Sequence, residues 1–232
     1  MEINSLSSNL NSVNNAQNNS VERISSGLKI EQTPDDASNL VISDALKQQR
    51  SDLSHSLRNL NEGIALTRIA TDGLDNQKQL LEEISTKLVQ VDTDTTSSDD
   101  KVAIKKEVTK LVEDFKNISE TTKFNDQKLI TPDKNSETLD ISTSDETLSI
   151  TIPNTGRIAD ELRTLVDNTD FNSGDISPIV DRVDLAIGEV NETQSNFTST
   201  ENQLESSARN TIGEQVSLAK ASSSIIDIDF GK

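Results

Sequence analysis

The run Val21-Glu22-Arg23-Ile24-Ser25-Ser26-Gly27-Leu28-Lys29-Ile30, with Thr33-Pro34-Asp35-Asp36-Ala37 after it, separates two heptad-patterned segments of this chain. Gly27 reads as a stop, because glycine tolerates the backbone angles just past a helix end. Thr33 reads as an N-cap, with Pro34 at the first helical position and Asp36 three residues after Thr33. Two carboxylates then lie at the positive end of the helix dipole. The sequence therefore predicts helices joined here by a shaped, non-helical link.

Only 31% of the 232 residues are hydrophobic and 2% aromatic, and the net charge is -18. That is thin for a compact globule. Helices packed side by side need only narrow apolar stripes, so the fold class expected is mainly α: an elongated antiparallel helical bundle or coiled-coil rod with a small β-hairpin. With 40 Asp and Glu against 22 Lys and Arg, the surface argues against nucleic acid and anionic membranes as partners. The absence of cysteine excludes disulfides and thiolate metal sites. No apolar run approaches the ~20 residues of a membrane span, so no membrane insertion is expected. Residues 1–20 lack Lys, Arg and an apolar stretch, so no cleavable secretory signal is read there.

Along the chain, Ile3, Leu6, Leu10, Val13, Gln17, Val21 and Ile24 alternate at spacings of about three and four, as a coiled-coil seam does. Seven Asn within the first 20 residues weaken that helix, so it is expected to be frayed and disordered in the isolated chain and to form only against a partner. A second helix is predicted from Thr33 to about Val91, with Leu53, Leu57, Leu60, Ile64, Thr67, Thr71, Leu74, Lys78, Leu81 and Leu88 on one drifting stripe. A third covers about Lys101 to Thr121, with Val108, Leu111, Val112, Phe115 and Ile118 on one face, and the short loop between predicts antiparallel packing. From Leu129 to Pro153 the period falls to two. Leu139 and Ile141, then Leu148, Ile150 and Ile152, predict a hairpin around Ser144-Asp145-Glu146. A short helix is read at Ile158–Val166. A last one starts near Ser177-Pro178, with a seam of Ile179, Val183, Ala186, Val190, Thr193, Phe197, Thr200, Leu204, Ala208, Ile212 and Val216. The segments are 1–32 (assembly), 33–128 (first rod helices), 129–177 (hairpin and short helix) and 178–232 (last rod helix).

Several motifs carry a resemblance. The Ser-Ser-Gly-Leu-Lys-Ile run and Asp35-Asp36-Ala37 are similar to signatures of the amino-terminal region of bacterial flagellin. Arg58-Asn59-Leu60-Asn61-Glu62-Gly63-Ile64 and Thr122-Lys123-Phe124-Asn125 resemble the same family's later stretches. Glu189 through Glu205, with Ile225 through Phe230, resembles its carboxy-terminal region. The resemblance implies a filament subunit that is exported through the flagellar type III channel to the extracellular flagellum. It also implies partners: copies of itself, other flagellins, hook-associated proteins and the export apparatus. The helices become an inner rod domain with a core at Leu53, Leu57, Leu60, Ile64, Leu74, Leu81, Leu88, Val108, Leu111, Phe115, Ile118, Val183, Val190, Phe197 and Leu204. By family likeness a Toll-like receptor would face Ser85, Leu88 and Glu107, weakly, since Ser85 stands where an Arg is expected. The sequence ends at Lys232 before the family's terminal helix, which leaves the Ile3–Ile24 seam without an expected mate and unaided assembly in doubt.

No catalytic arrangement emerges. His55 is single, and Asp35-Asp36 and Asp99-Asp100 are explained by capping and solvation. The expectation is a structural protein with no cofactor and no metal. A hook–filament junction protein, a secreted non-polymerising modulator and an unrelated coiled-coil scaffold are the alternatives.

Overall fold

A computed structural model describes residues 2–27, 36–93, 96–131, 137–143, 147–172 and 175–227. Five helices dominate: α1 (Glu2–Ser26), α2 (Ala37–Val91), α3 (Ser98–Thr121), α4 (Thr155–Asn168) and α5 (Ser177–Ile226). Two antiparallel strand pairs accompany them: β1 (Lys123–Phe124) with β2 (Gln127–Lys128), and β3 (Thr138–Ser142) with β4 (Thr147–Thr151). Contacts group the chain into two units, residues 1–57 with 209–232, and residues 58–208. The fold is mainly helical with a small β-element.

In the first unit, α1 ends at Ser26 and Gly27 takes φ +72, so glycine is the stop that the sequence predicted. The restart differs. α2 begins at Ala37, and its cap is Asp36, whose Oδ1 accepts the Ser38 and Asn39 backbone N–H groups at 3.1 Å each. The caps expected at Thr33 and Pro34 lie outside the described residues. An ionised carboxylate is the stronger acceptor for orphan N–H groups, which places the cap at Asp36. Within this unit Leu53, Ser43, Ser56, Thr211 and Ser222 are buried.

The second unit is a four-helix arrangement whose pairings are fixed by side chains. Gln77 on α2 reaches Ser119 on α3, and Lys87 reaches Glu107, so these helices run antiparallel. Lys116 and Glu113 of α3 pair with Asp160 and Arg163 of α4 in the same inverted order. Arg157 and Glu161 of α4 meet Glu189 and Arg182 of α5. Asp75 of α2 accepts from Gln194 of α5 at 2.6 Å, and Arg68 bonds Glu201 and Glu205, which closes the ring of antiparallel neighbours. The wide layer inside is apolar: Leu60, Leu74, Leu81, Ile84, Leu88, Phe115, Leu162, Ile179 and Leu204 are all shielded from solvent.

On α2 a seam of buried positions runs through Leu53, Ser56, Leu60, Gly63, Thr67, Ala70, Leu74, Gln77, Leu81, Ile84, Leu88 and Val91, with Leu66 and Gly73 buried beside it and Ser43 buried nearer the helix start. The seam's spacing alternates three and four without a break, the 3.5-residue repeat of a coiled coil. This corrects the expected stripe at four places, where Leu57, Ile64, Thr71 and Lys78 are half-buried and the neighbours Ser56, Gly63, Ala70 and Gln77 take the seam. On α5 the apolar members of the expected seam are buried through Ala208, with Thr193 and Thr200 half-buried, and then the seam turns. Ile212 and Val216 are 48% and 49% exposed, while Thr211 and Ser222 are buried. Steps of four from Ala208 overshoot the repeat, which rotates those two side chains off the seam.

The hairpin β3–β4 pairs Ile141 with Leu148 and Leu139 with Ile150. Its inner residues Ile141 and Ile150 are buried, and Asn59 of α2 donates to the Ser142 carbonyl at 2.8 Å. The smaller pair β1–β2 was not read from the sequence. It is closed by Asn125 (φ 53) and Asp126 (φ 67), two left-handed residues of the kind that close a two-residue hairpin. Lys105 of α3 donates to the carbonyls of Asp167 and Thr169 at the end of α4, and its Nζ lies 5.7 Å from the Phe171 ring centre. A cation there satisfies the negative end of the α4 dipole.

Candidate functional site

The strongest candidate surface is on α1. Leu10, Val13, Val21 and Ile24 are 58%, 61%, 60% and 66% exposed. At 100° per residue these four fall within an arc of about 80°, a single stripe. Ile3 and Leu6 continue the seam in sequence, but their side chains lie outside the described residues. Isolated exposed apolar residues are ordinary, but an aligned row on one helix marks a surface that binds. Fully burying four such side chains is worth about 1.5–3 kcal/mol each. In the same unit Val41, Ile42, Ile212 and Val216 are also exposed, between 45% and 69%. What these surfaces can do is bury area. His55 is exposed on α2, and no group of three His, Asp or Glu among the described residues is placed to hold a metal ion.

The residues expected in the rod core fall into two sets. Leu53, Leu60, Leu74, Leu81, Leu88, Val108, Phe115, Val183, Val190, Phe197 and Leu204 are buried. Leu57, Ile64, Leu111 and Ile118 are half-buried at the margins of their stripes. The receptor-facing set needs a correction: Leu88 is 0% exposed, held in the α2 seam, and has no surface for a receptor to touch. Ser85 is half-buried, and Glu107 is exposed but engaged with Lys87 at 2.6 Å. That contact raises the Lys87 pKa above its usual value, through the hydrogen bond and then the charge of Glu107.

Sequence reading missed the polar centre of the second unit. Gln77 Nε2 donates to Ser119 Oγ (2.7 Å) and Thr155 Oγ1 (3.1 Å), tying α2, α3 and α4 together. Thr155 Oγ1 in turn donates to the Ile130 carbonyl at 2.9 Å. The signal was available in the heptad: Gln77 occupies the position between Leu74 and Leu81 where an apolar residue belongs.

Residues 1–134, more than half of the chain, match the model of the bacterial flagellin N-terminal helical region. This chain belongs to the bacterial flagellin family. Flagellin A of Helicobacter mustelae is 32% identical to it over 154 residues, 66% of this chain and 31% of that protein. The flagellin of Halalkalibacterium halodurans is 29% identical over 217 residues, 91% of this chain and 78% of that flagellin. Among solved structures, a putative flagellar hook-associated protein from Vibrio parahaemolyticus shares the fold, with a TM-score of 0.60 and 10% identity over 84% of this chain and 97% of its own. The chain spans about a third or less of the Helicobacter flagellins it matches. Flagellin is a structural protein family, and the α1 stripe lies within the matched region.

Proposed function

We propose that this chain is a structural subunit of the bacterial flagellar filament and works by packing rather than by chemistry. One observation carries the reading: the matched amino-terminal region includes an exposed apolar stripe on α1 with nothing described in the chain laid over it. In a helical assembly every copy repeats one heterologous contact, and a stripe of this kind supplies it. The ring of α2, α3, α4 and α5 would form the inner rod domain, and α1 the segment that pairs between copies. Copies of itself and hook-associated proteins are then the partners, the flagellar export apparatus the route, and the extracellular flagellum the place. Receptor recognition through Ser85 and Glu107 would be weak, since Leu88 is buried. The alternative of a hook–filament junction subunit rests on the hook-associated likeness, and at 10% identity that likeness speaks only to the fold.

The test is to replace Leu10 and Val13 by Asp in the natural gene and to image cells by electron microscopy. Filaments containing this subunit should disappear while the secreted protein remains detectable in the medium. Filaments of normal length containing the substituted subunit would refute the assembly role of the stripe.

A further inference from the structure

Beside the start of α4 the second unit carries a groove of about 760 Å³, lined by Lys116, Thr131, Asn154, Gly156, Arg157 and Arg182 among others. Two independent features converge in it. The first is Arg182, whose side chain is 11% exposed. Its Nε donates to Glu161 Oε2 at 2.7 Å, yet Nη1 and Nη2 are both buried and neither has a hydrogen-bond acceptor. Nη1 lies 3.2 Å from Glu189 Oε1, close enough for attraction but not aligned for a bond. A guanidinium has five N–H donors, so most of this one's capacity is unused in a buried place, where such donors ordinarily find acceptors.

The second feature is the helix end. α4 has 14 residues, and Asn154 caps it by accepting the Arg157 N–H at 3.1 Å. The Thr155 N–H goes to the Ile130 carbonyl, which leaves the Gly156 N–H with no acceptor among the described residues. A helix N-terminus with a free N–H favours a negatively charged oxygen. At the rim, Lys116 and Arg157 are 41% and 53% exposed and paired with Asp160 and Glu161. Exposed ion pairs of this sort are worth little and exchange readily.

We propose that this groove binds an oxyanion, a carboxylate or phosphate-type group received by Arg182 and Arg157 at the N-terminus of α4. Three cations and three carboxylates (Glu120, Asp160 and Glu161) line the groove. Elsewhere in the unit carboxylates predominate, so an anion meets less repulsion here than on the rest of that surface. With Glu189 behind Arg182 the carboxylates number four against three cations, so binding rests on directed donors rather than net charge and is weak. Because the Nη atoms are shielded, entry requires rim side chains to rotate. An acidic side chain of another copy and free phosphate present the same chemistry.

The experiment uses the full chain labelled with ¹⁵N, titrated with sodium phosphate or sodium acetate while sodium chloride holds ionic strength constant. The Gly156 amide and the Arg182 Nε–H resonances should shift saturably, and chloride alone should move neither. A response to both probes assigns the site to oxyanions in general, side-chain carboxylates included. A response to phosphate alone assigns it to free phosphate. Arg157→Gln, at the exposed rim, should weaken binding several-fold, and Arg182→Gln should abolish it with the other resonances unchanged. Absence of a saturable shift in the folded wild-type chain overturns the proposal. So does an unchanged affinity in Arg157→Gln, which decides the matter if Arg182→Gln fails to fold.

Discussion

At the scale of single residues, the informative group is Gln77. Its Nε2 makes the bonds that join three helices, but its Oε1 is buried with no partner. An unmet buried carbonyl costs about 1–3 kcal/mol, comparable to what the two donated bonds return. The hydroxyls it serves do not depend on it: Ser119 Oγ lies 3.1 Å from the Phe115 carbonyl and Thr155 Oγ1 is bonded to the Ile130 carbonyl. Gln77→Leu, close in volume, is therefore expected to hold or raise the unfolding midpoint measured by circular dichroism. Thr155→Val, which deprives that carbonyl of its hydroxyl partner, should lower stability by about 1 kcal/mol. A Gln77→Leu loss larger than that of Thr155→Val would contradict this ranking. Glu161 gives a second residue-scale prediction. Burial would push its carboxyl up, but hydrogen bonds from Arg157 and Arg182 outweigh it and hold the pKa below the ordinary 4.5. A depressed carboxylate pKa contributes stability that is present above the unfolded value and lost as pH falls through the folded one. Between about pH 5 and 3 the wild-type chain should lose more stability than Glu161→Gln in denaturant titrations. Parallel losses would show that the ion cluster is neutral to folding.

At the scale of elements, one substitution read at two glycines separates packing from propensity. Gly188 on α5 has nothing within 4 Å of where a β-carbon would stand. Gly188→Ala is expected to stabilise by about 0.5–1 kcal/mol, the gain from restricting an exposed helical position. Gly73 on α2 would place a β-carbon 2.7 Å from Thr122 Oγ1 and 2.8 Å from its Cγ2. Thr122 is short and branched, and its hydroxyl is bonded to the Ile118 carbonyl at 2.8 Å, so it yields little. Gly73→Ala should cost about 1–3 kcal/mol despite the same propensity gain. Thermal unfolding of both variants checks the opposite signs, and two gains would mean that the α2–Thr122 contact is loose. These positions also show what the sequence makes legible. The repeat of three and four announced α2, α3 and α5, and the change to period two announced β3–β4. The heptad phase past Ala208 is hidden in the sequence, because Ile212 and Val216 are apolar while the buried Thr211 and Ser222 are not. Leu88 was read two ways, on the α2 stripe from its spacing and in a receptor-facing set from family likeness, and its burial upholds the stripe. The pair β1–β2 is two residues per strand, too short for any alternation to appear. The α4 groove was invisible for another reason, since Lys116, Gly156 and Arg182 lie on three helices and meet only after folding.

For the whole molecule, charge is distributed unevenly between the two units. Residues 58–208 hold 15 Lys and Arg against 30 Asp and Glu, while the other unit holds 7 against 10. Two electrostatic effects then oppose one another within the larger unit. Its ion pairs, such as Lys87–Glu107, Arg68–Glu201 and Lys116–Asp160, have N–O distances of 2.6–2.7 Å and are attractive. Its unpaired carboxylates repel over longer distances. Screening discriminates between them by distance. The Debye length falls from about 30 Å at 0.01 M salt to about 10 Å at 0.1 M, so the long-range repulsion fades while contacts within a few ångströms persist. Exposed pairs are in any case worth about 0–1 kcal/mol each. Repulsion is therefore the term that salt changes most. The unfolding midpoint of the chain is expected to rise by several degrees between 0.01 M and 0.15 M sodium chloride. Self-association through the α1 stripe should strengthen over the same interval, because two acidic copies must approach before apolar area can be buried. Thermal scans paired with sedimentation velocity test both. A midpoint that falls with salt would mean that the ion pairs, not the excess carboxylates, govern the unit. Association that weakens with salt would mean that copies meet through charged contacts instead of the stripe formed by Leu10, Val13, Val21 and Ile24.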